Sequence, residues 1–345
     1  VQSSLHAGIF GYTRLYNKKS DTYVDLIHDK HVPYQDKKKT KGKPRWIDTY
    51  HPADQSFYHI VKDLNKNSKH DIELIYEGYR GSHTTQTGLF LIDSAQQFES
   101  ELGKKVRLTY ADYGRSYFDR ALRSFISESI DQIDTEFRKL KADIQYEPGY
   151  DPFTYITSMK KQGFGNILSS LSTNEIIYFF KKAMLRSIDT DVYRLIEKNY
   201  GLSCRKSFEK KFKNNQDFWK EYYAKNIEKF ENKSLAYFVD NGGIDVLAHI
   251  PCNAEPCRSR VPYNQIPEHI FFNYQNICDI DLLFHILSCG KKQTIVYAGG
   301  AHCKEVESFL KSVGFIEVSS FSHGMNSASF LKSHQLNHLK NIQIT

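Results

Sequence analysis

Apolar and polar positions alternate along this chain in two distinct periods, and the period changes where the architecture is expected to change. Residues 22–28 (TYVDLIH) are rich in β-branched and aromatic side chains and read as a strand. A polar, Lys-rich loop follows, and Pro52 then opens a helix. Its apolar positions are Phe57, Ile60, Val61 and Leu64, the i, i+3, i+4, i+7 stripe of a 3.6-residue period. After a polar turn at 65–69, residues 72–76 (IELIY) read as a second strand. Strand, amphipathic helix and strand make a βαβ unit, whose strands should run parallel. A helix-like stretch at 95–102 leads to a third strand at 106–110.

From about residue 116 to 230 the helical period dominates. Leu122, Phe125, Ile126, Ile130, Ile133, Phe137 and Leu140 recur at helical spacing, as do the segments IIYFFKKAML and DVYRLIEKNY. EPGYDP (147–152) and GFGN (163–166) interrupt the pattern. The apolar run LAYFV (235–239) reads as a return to strand. A loop carrying Pro251, Pro256, Pro262 and Pro267 follows, then a helix at 281–287. TIVYA (294–298) reads as a buried strand, and Gly299-Gly300-Ala301-His302 as a tight turn. The next helix carries Val306, Phe309, Leu310 and Val313, with Gly314 at the position of a helix-ending glycine. FIEV (315–318) makes a last short strand. The expected fold is α/β: a mostly parallel sheet flanked by helices, with a large helical insertion. The core would comprise residues 1–115 and 235–345, and the insertion residues 116–234.

Charge adds little to that picture. The formal net charge is +7, but basic residues are spread along the chain apart from the run at 37–45, which reads as a solvated loop. No RNP, helix-turn-helix or zinc-finger spacing is present, so no nucleic-acid partner is expected. No stretch approaches the length of a membrane-spanning helix. The N-terminus lacks a basic-then-apolar signal pattern, so a soluble, cytoplasmic chain is expected. The start at Val1 suggests a piece of a longer chain, such as a domain of a toxin or effector acting in a host cytosol. Six cysteines in 345 residues are too sparse for a disulfide scaffold. The one close pair, Cys252 and Cys257, lacks the second pair that a structural zinc would need.

Candidate chemistry gathers where parallel strands end, because ligands of open α/β sheets bind beyond the carboxyl ends of the strands. The first strand runs into His28-Asp29-Lys30-His31 and the second into Glu77. The third runs into Asp112 and Arg115, and the strand before the last helix into Gly299-Gly300-Ala301-His302. Taken singly, each has a plain structural explanation as a capping, surface or turn residue. Their recurrence at one edge favours a site. His31, Glu77 and His302 together form a nitrogen–oxygen ligand set for a divalent metal such as Zn or Mn. Such a metal would make a bound water nucleophilic near neutral pH. Without metal, His31 held by Asp29 or Glu77 could act as general base. Gly299 and Gly300 would offer backbone N–H groups to an oxyanion, and Asp112 a further cofactor-side carboxylate. Asp279 could add another carboxylate, whereas Asp245 and His249 read as a structural pair.

These motifs resemble the Tiki superfamily, which includes TraB-type proteins, ChaN-like haem-binding proteins and erythromycin esterase-like enzymes. The resemblance rests on Asp29-Lys30-His31, Glu77 and Gly299-Gly300-Ala301-His302. It covers roughly residues 20–115 and 235–320. Where that family has Gly-Glu-x-His, this chain has His28-Asp29-Lys30-His31. The resemblance implies metal-dependent hydrolysis of a peptide, hydrolysis of a lactone-type ester, or haem handling, with a peptide, ester or other small molecule as substrate. A divalent metal is expected ahead of haem. The alternative is a non-catalytic module that binds metal, haem or protein.

Overall fold

The computed structural model describes residues 9–29, 61, 64–77, 105–112, 114, 117, 118, 121, 163, 165–248, 250 and 266–322. Within them, six strands form one sheet. They are β1 (Ile9–Asn17), β2 (Thr22–Asp29), β3 (Ile72–Glu77), β4 (Val106–Ala111), β5 (Gln293–Gly299) and β6 (Ile316–Ser322), in the order β4-β3-β5-β2-β1-β6. The pairs β4–β3, β3–β5 and β5–β2 are parallel; β2–β1 and β1–β6 are antiparallel. The fold is α/β with a mostly parallel sheet.

All seven residues of β5 are buried, as is expected of a central parallel strand covered on both faces. It lies between β2 and β3 and pairs with both. The two strands of the expected βαβ unit therefore do run parallel, but with β5 inserted between them. The helix between them is described only at its end, where residues 64–67 are helical and Val61 and Leu64 are buried. Tyr12, Ile27, Val61, Leu64, Ile72, Leu74, Tyr76, Val106, Ile295 and Tyr297 form one apolar core of this sheet.

Strand β1 was not expected. It pairs with β2 as a hairpin, and the Asn17 side chain organises the turn by accepting hydrogen bonds from the Lys19 and Ser20 amides at 3.0 and 3.1 Å. A central Asp25, wholly buried, locks the hairpin to β5. Its Oδ1 accepts from Arg14 Nε at 2.6 Å and Tyr12 OH at 2.7 Å, and its Oδ2 accepts from Gln293 Nε2 at 2.9 Å.

Among the described residues, the helices beyond that at 64–67 include α1 (Gly165–Ser170), α2 (Asn174–Met184), α3 (Thr190–Tyr200), α4 (Leu202–Tyr222), α5 (Leu235–Asp240), α6 (Gly243–Ala248), α7 (Glu268–Ser288) and α8 (Gly300–Ser312). The α8 terminus behaves as its sequence predicts. Gly314 has a φ of 99°, its amide donates to the Lys311 carbonyl at 3.2 Å, and the Phe315 amide donates to the Leu310 carbonyl at 3.0 Å. These two bonds and the buried Leu310 and Phe315 make a Schellman cap that turns the chain into β6.

One expected strand is a helix. LAYFV forms α5, where the Ser234 hydroxyl caps the first turn by accepting from the Tyr237 amide. Leu235 and Phe238, three residues apart, are the positions it buries. A five-residue apolar run carries no period of its own, so the cap and the packing decide. The chain divides into two compact units, and the division differs from the expected one. One unit comprises Val1–Ala111, Asp189–Glu209 and Asp279–Thr345; the other comprises Asp112–Ile188 and Lys210–Cys278. The helical unit therefore keeps residues 235–278, and part of the expected insertion, 189–209, belongs with the sheet. The helical unit has its own aromatic core, in which Phe180 and Trp219 meet edge to face and Phe230 packs on Phe238. Among the described residues no helix is long and apolar enough to cross a membrane.

Candidate functional site at the ends of β3 and β5

β5 ends at Gly299, and α8 begins at Gly300 without a side-chain cap. This abrupt strand-to-helix turn puts His302 in the first turn of α8. The Cys303 thiol beside it donates toward the carbonyls of Ala298 and Ile27, at 3.4 and 3.5 Å, and pins α8 over β2 and β5. Glu77 closes β3, the other neighbour of β5. Behind it, Tyr76 stacks on Tyr297 with ring centroids 5.5 Å apart, which holds the two strand ends in register.

The side chains then converge. Glu77 Oε2 accepts a hydrogen bond from the Gly299 amide at 2.6 Å. His302 Nδ1 meets Asp279 Oδ1 at 2.6 Å, and His302 Nε2 lies 3.5 Å from Glu77 Oε1. All three side chains are nearly removed from water, with 9% exposure for His302, 3% for Asp279 and 11% for Glu77. Buried carboxylates are costly without partners; here an imidazole lies between two of them and a backbone amide holds one.

Which of the expected residues meet is now clear. Glu77 and His302 come together as expected. His31 lies outside the described residues. Asp29 is placed by its backbone alone, opposite Gly299 in the parallel β2–β5 register. Asp112 is buried, with a left-handed backbone at φ 85°, in the first residue after β4. The Gly299 amide is not open to an oxyanion, because it holds Glu77. Gly300 is buried at the start of α8. Asp279, expected only as an extra carboxylate, turns out to grip the far nitrogen of His302. Its signal in the sequence was faint: an acidic residue within the apolar run ICDIDLLF, where a buried charge needs a partner.

The donor set fits a small divalent cation. Two ligand atoms bound to one tetrahedral zinc at about 2.0–2.2 Å lie roughly 3.4 Å apart, and Nε2 and Oε1 are 3.5 Å apart. Cys278, the residue before Asp279 on α7, joins Glu77 and His302 in a group whose ligand atoms all lie within 4.8 Å of one another. The hydrogen bond from the ring's other nitrogen to a carboxylate is the usual support for a metal-binding histidine.

A scan against protein-family models, a search of the curated proteins and a search of the solved structures each found no match to this chain.

Proposed function

We propose that this chain is a hydrolase of peptide or ester bonds whose Glu77 and His302 hold a divalent metal ion, zinc or manganese. The observation that carries the reading is the Nε2–Oε1 pair, 3.5 Å apart and anchored from outside on both sides, by Asp279 and by the Gly299 amide. Anchoring matters because a preset ligand pair loses little freedom on binding. A metal ion bound there supplies a water of lowered pKa, the nucleophile of such hydrolases. The chain's own residues do the rest. Glu77 and His302 bind through one oxygen and one nitrogen, Asp279 orients the imidazole, and burial keeps competing water from these donors.

The test is direct. The purified chain is stripped with a chelator, reloaded with zinc or manganese, and assayed for metal content and for hydrolysis of peptide and ester panels. About one equivalent of metal and metal-restored hydrolysis are expected, with both lost in His302→Ala and Glu77→Gln. A chain that binds neither metal would overturn the reading.

The burial of all three side chains favours one further reading, a site that holds a metal or haem without turning over substrate. Retained metal, or a haem absorbance band, with no hydrolysis across the panels would select it.

A further inference from the structure

α7 brings two consecutive residues to the site. Asp279 holds the His302 ring, and Cys278 sets a thiol near it. The ligand atoms of Glu77, Cys278 and His302 all lie within 4.8 Å of one another. Cys278 is wholly buried. A sulfur and a nitrogen on one tetrahedral zinc, at about 2.3 and 2.0–2.1 Å from the ion, stand roughly 3.6 Å apart. The thiol therefore has at most about 1.2 Å to close, a distance that a turn about its Cα–Cβ bond covers. Three donors from β3, α7 and α8 leave the fourth position of a tetrahedral ion open. That is the ligand count of a catalytic zinc rather than of a closed structural one.

We infer that Cys278 is the third ligand of this site and that its sulfur selects zinc over manganese. The inference rests on the metal reading above and narrows it. A carboxylate and an imidazole serve both ions, whereas a thiolate is a soft donor that suits zinc and is a poor partner for manganese. On binding, the Cys278 thiol gives its proton to solvent and its sulfur takes a position on the ion. Cys303 follows His302 in the chain but is turned to another task, because its thiol donates toward the carbonyls of Ala298 and Ile27.

The experiment uses the whole chain, loaded with zinc and studied by X-ray absorption at the zinc edge. One sulfur neighbour at about 2.3 Å is expected beside nitrogen and oxygen neighbours at about 2.0–2.2 Å. Zinc held by nitrogen and oxygen alone would overturn the inference and leave the metal reading standing. Cobalt(II) titration gives the second arm. A sulfur-to-cobalt charge-transfer band in the near ultraviolet is expected, lost in Cys278→Ser and kept in Cys303→Ser. A band that survives in Cys278→Ser also overturns the inference. Should Cys278→Ser fail to fold, the wild-type zinc spectrum decides alone. Competition gives the third arm: excess manganese should displace more zinc from Cys278→Asp than from the wild type, and equal displacement would remove the claim of selectivity. A wild-type chain that takes up neither zinc nor cobalt overturns the metal reading itself, and this inference with it.

Discussion

Two histidines near the ends of neighbouring parallel strands are almost equally buried, His28 at 5% and His302 at 7% exposure of the whole residue, yet their rings meet different partners. His28 Nε2 meets the Thr13 hydroxyl at 3.3 Å, and that hydroxyl donates its only proton to Glu307 Oε2, also at 3.3 Å. The Thr13 hydroxyl thus bridges His28 and Glu307. His302 instead has Asp279 against Nδ1 and Glu77 opposite Nε2. Desolvation holds the His28 ring neutral and pushes its pKa down to about 4. The two rings are therefore equally buried but differently partnered: a hydroxyl faces His28, and a carboxylate faces each nitrogen of His302.

The harshest way to break this contrast is to delete the His302 ring. His302→Ala leaves the Asp279 carboxylate buried without its imidazole, and leaving a buried charged acceptor without its partner costs about 3 kcal/mol or more. Urea unfolding should show that loss, together with the loss of metal.

Acid tests His28 next. The folded-state pKa of His28 lies below its unfolded value near 6.5. The unfolded chain therefore takes up a proton that the folded chain refuses between pH 6.5 and 4. The His28 contribution is complete above pH 6.5 and is lost as the pH falls through that window, by roughly 3 kcal/mol at full extent. Unfolding curves of the wild type and His28→Gln, taken across pH 7 to 4, should converge on acidification. Parallel curves would show that His28 protonates freely in the folded chain.

Smaller effects sharpen the comparison. Gly11 is buried where an added Cβ would stand 3.1 Å from His28 Cβ and Cγ, so Gly11→Ala should cost about 1–2 kcal/mol by crowding the ring. Thr13→Val removes the hydroxyl link between His28 and Glu307 and should cost about 1 kcal/mol. Neither should alter cobalt affinity. A change of more than a few fold would mean that the two histidines are coupled.

Much of this is legible in the sequence. TIVYAGGAH followed by a 3.6-period helix and Gly314 marks a strand, a tight turn and a capped helix, because each local preference points the same way. Glu77 and His302 are legible from their places at the ends of parallel strands. Other features depend on tertiary context. LAYFV is too short to carry a period, so Ser234 and the surrounding helices decide its form. Strand β1 (IFGYTRLYN) does not alternate cleanly, and its Tyr12 and Arg14 are explained by Asp25 across the hairpin. The role of Asp279 was hidden because α7 is largely apolar, and nothing within a helix says which strand end a buried acid will meet.

The position of β5 has a consequence for how the chain is made. β2 and β3 never pair with each other; β5 joins them, and its first residue, Gln293, lies far beyond the last residue of β3, Glu77. During synthesis the β1–β2 hairpin and the β3–β4 pair emerge early as two separate pieces, each with an open edge waiting for a strand still untranslated. Such long-range pairing makes folding slow and leaves those edges exposed to wrong partners. Glu77, made early, meets His302 only once β5 has joined the two pieces, so the site depends on the last parallel strand of the sheet.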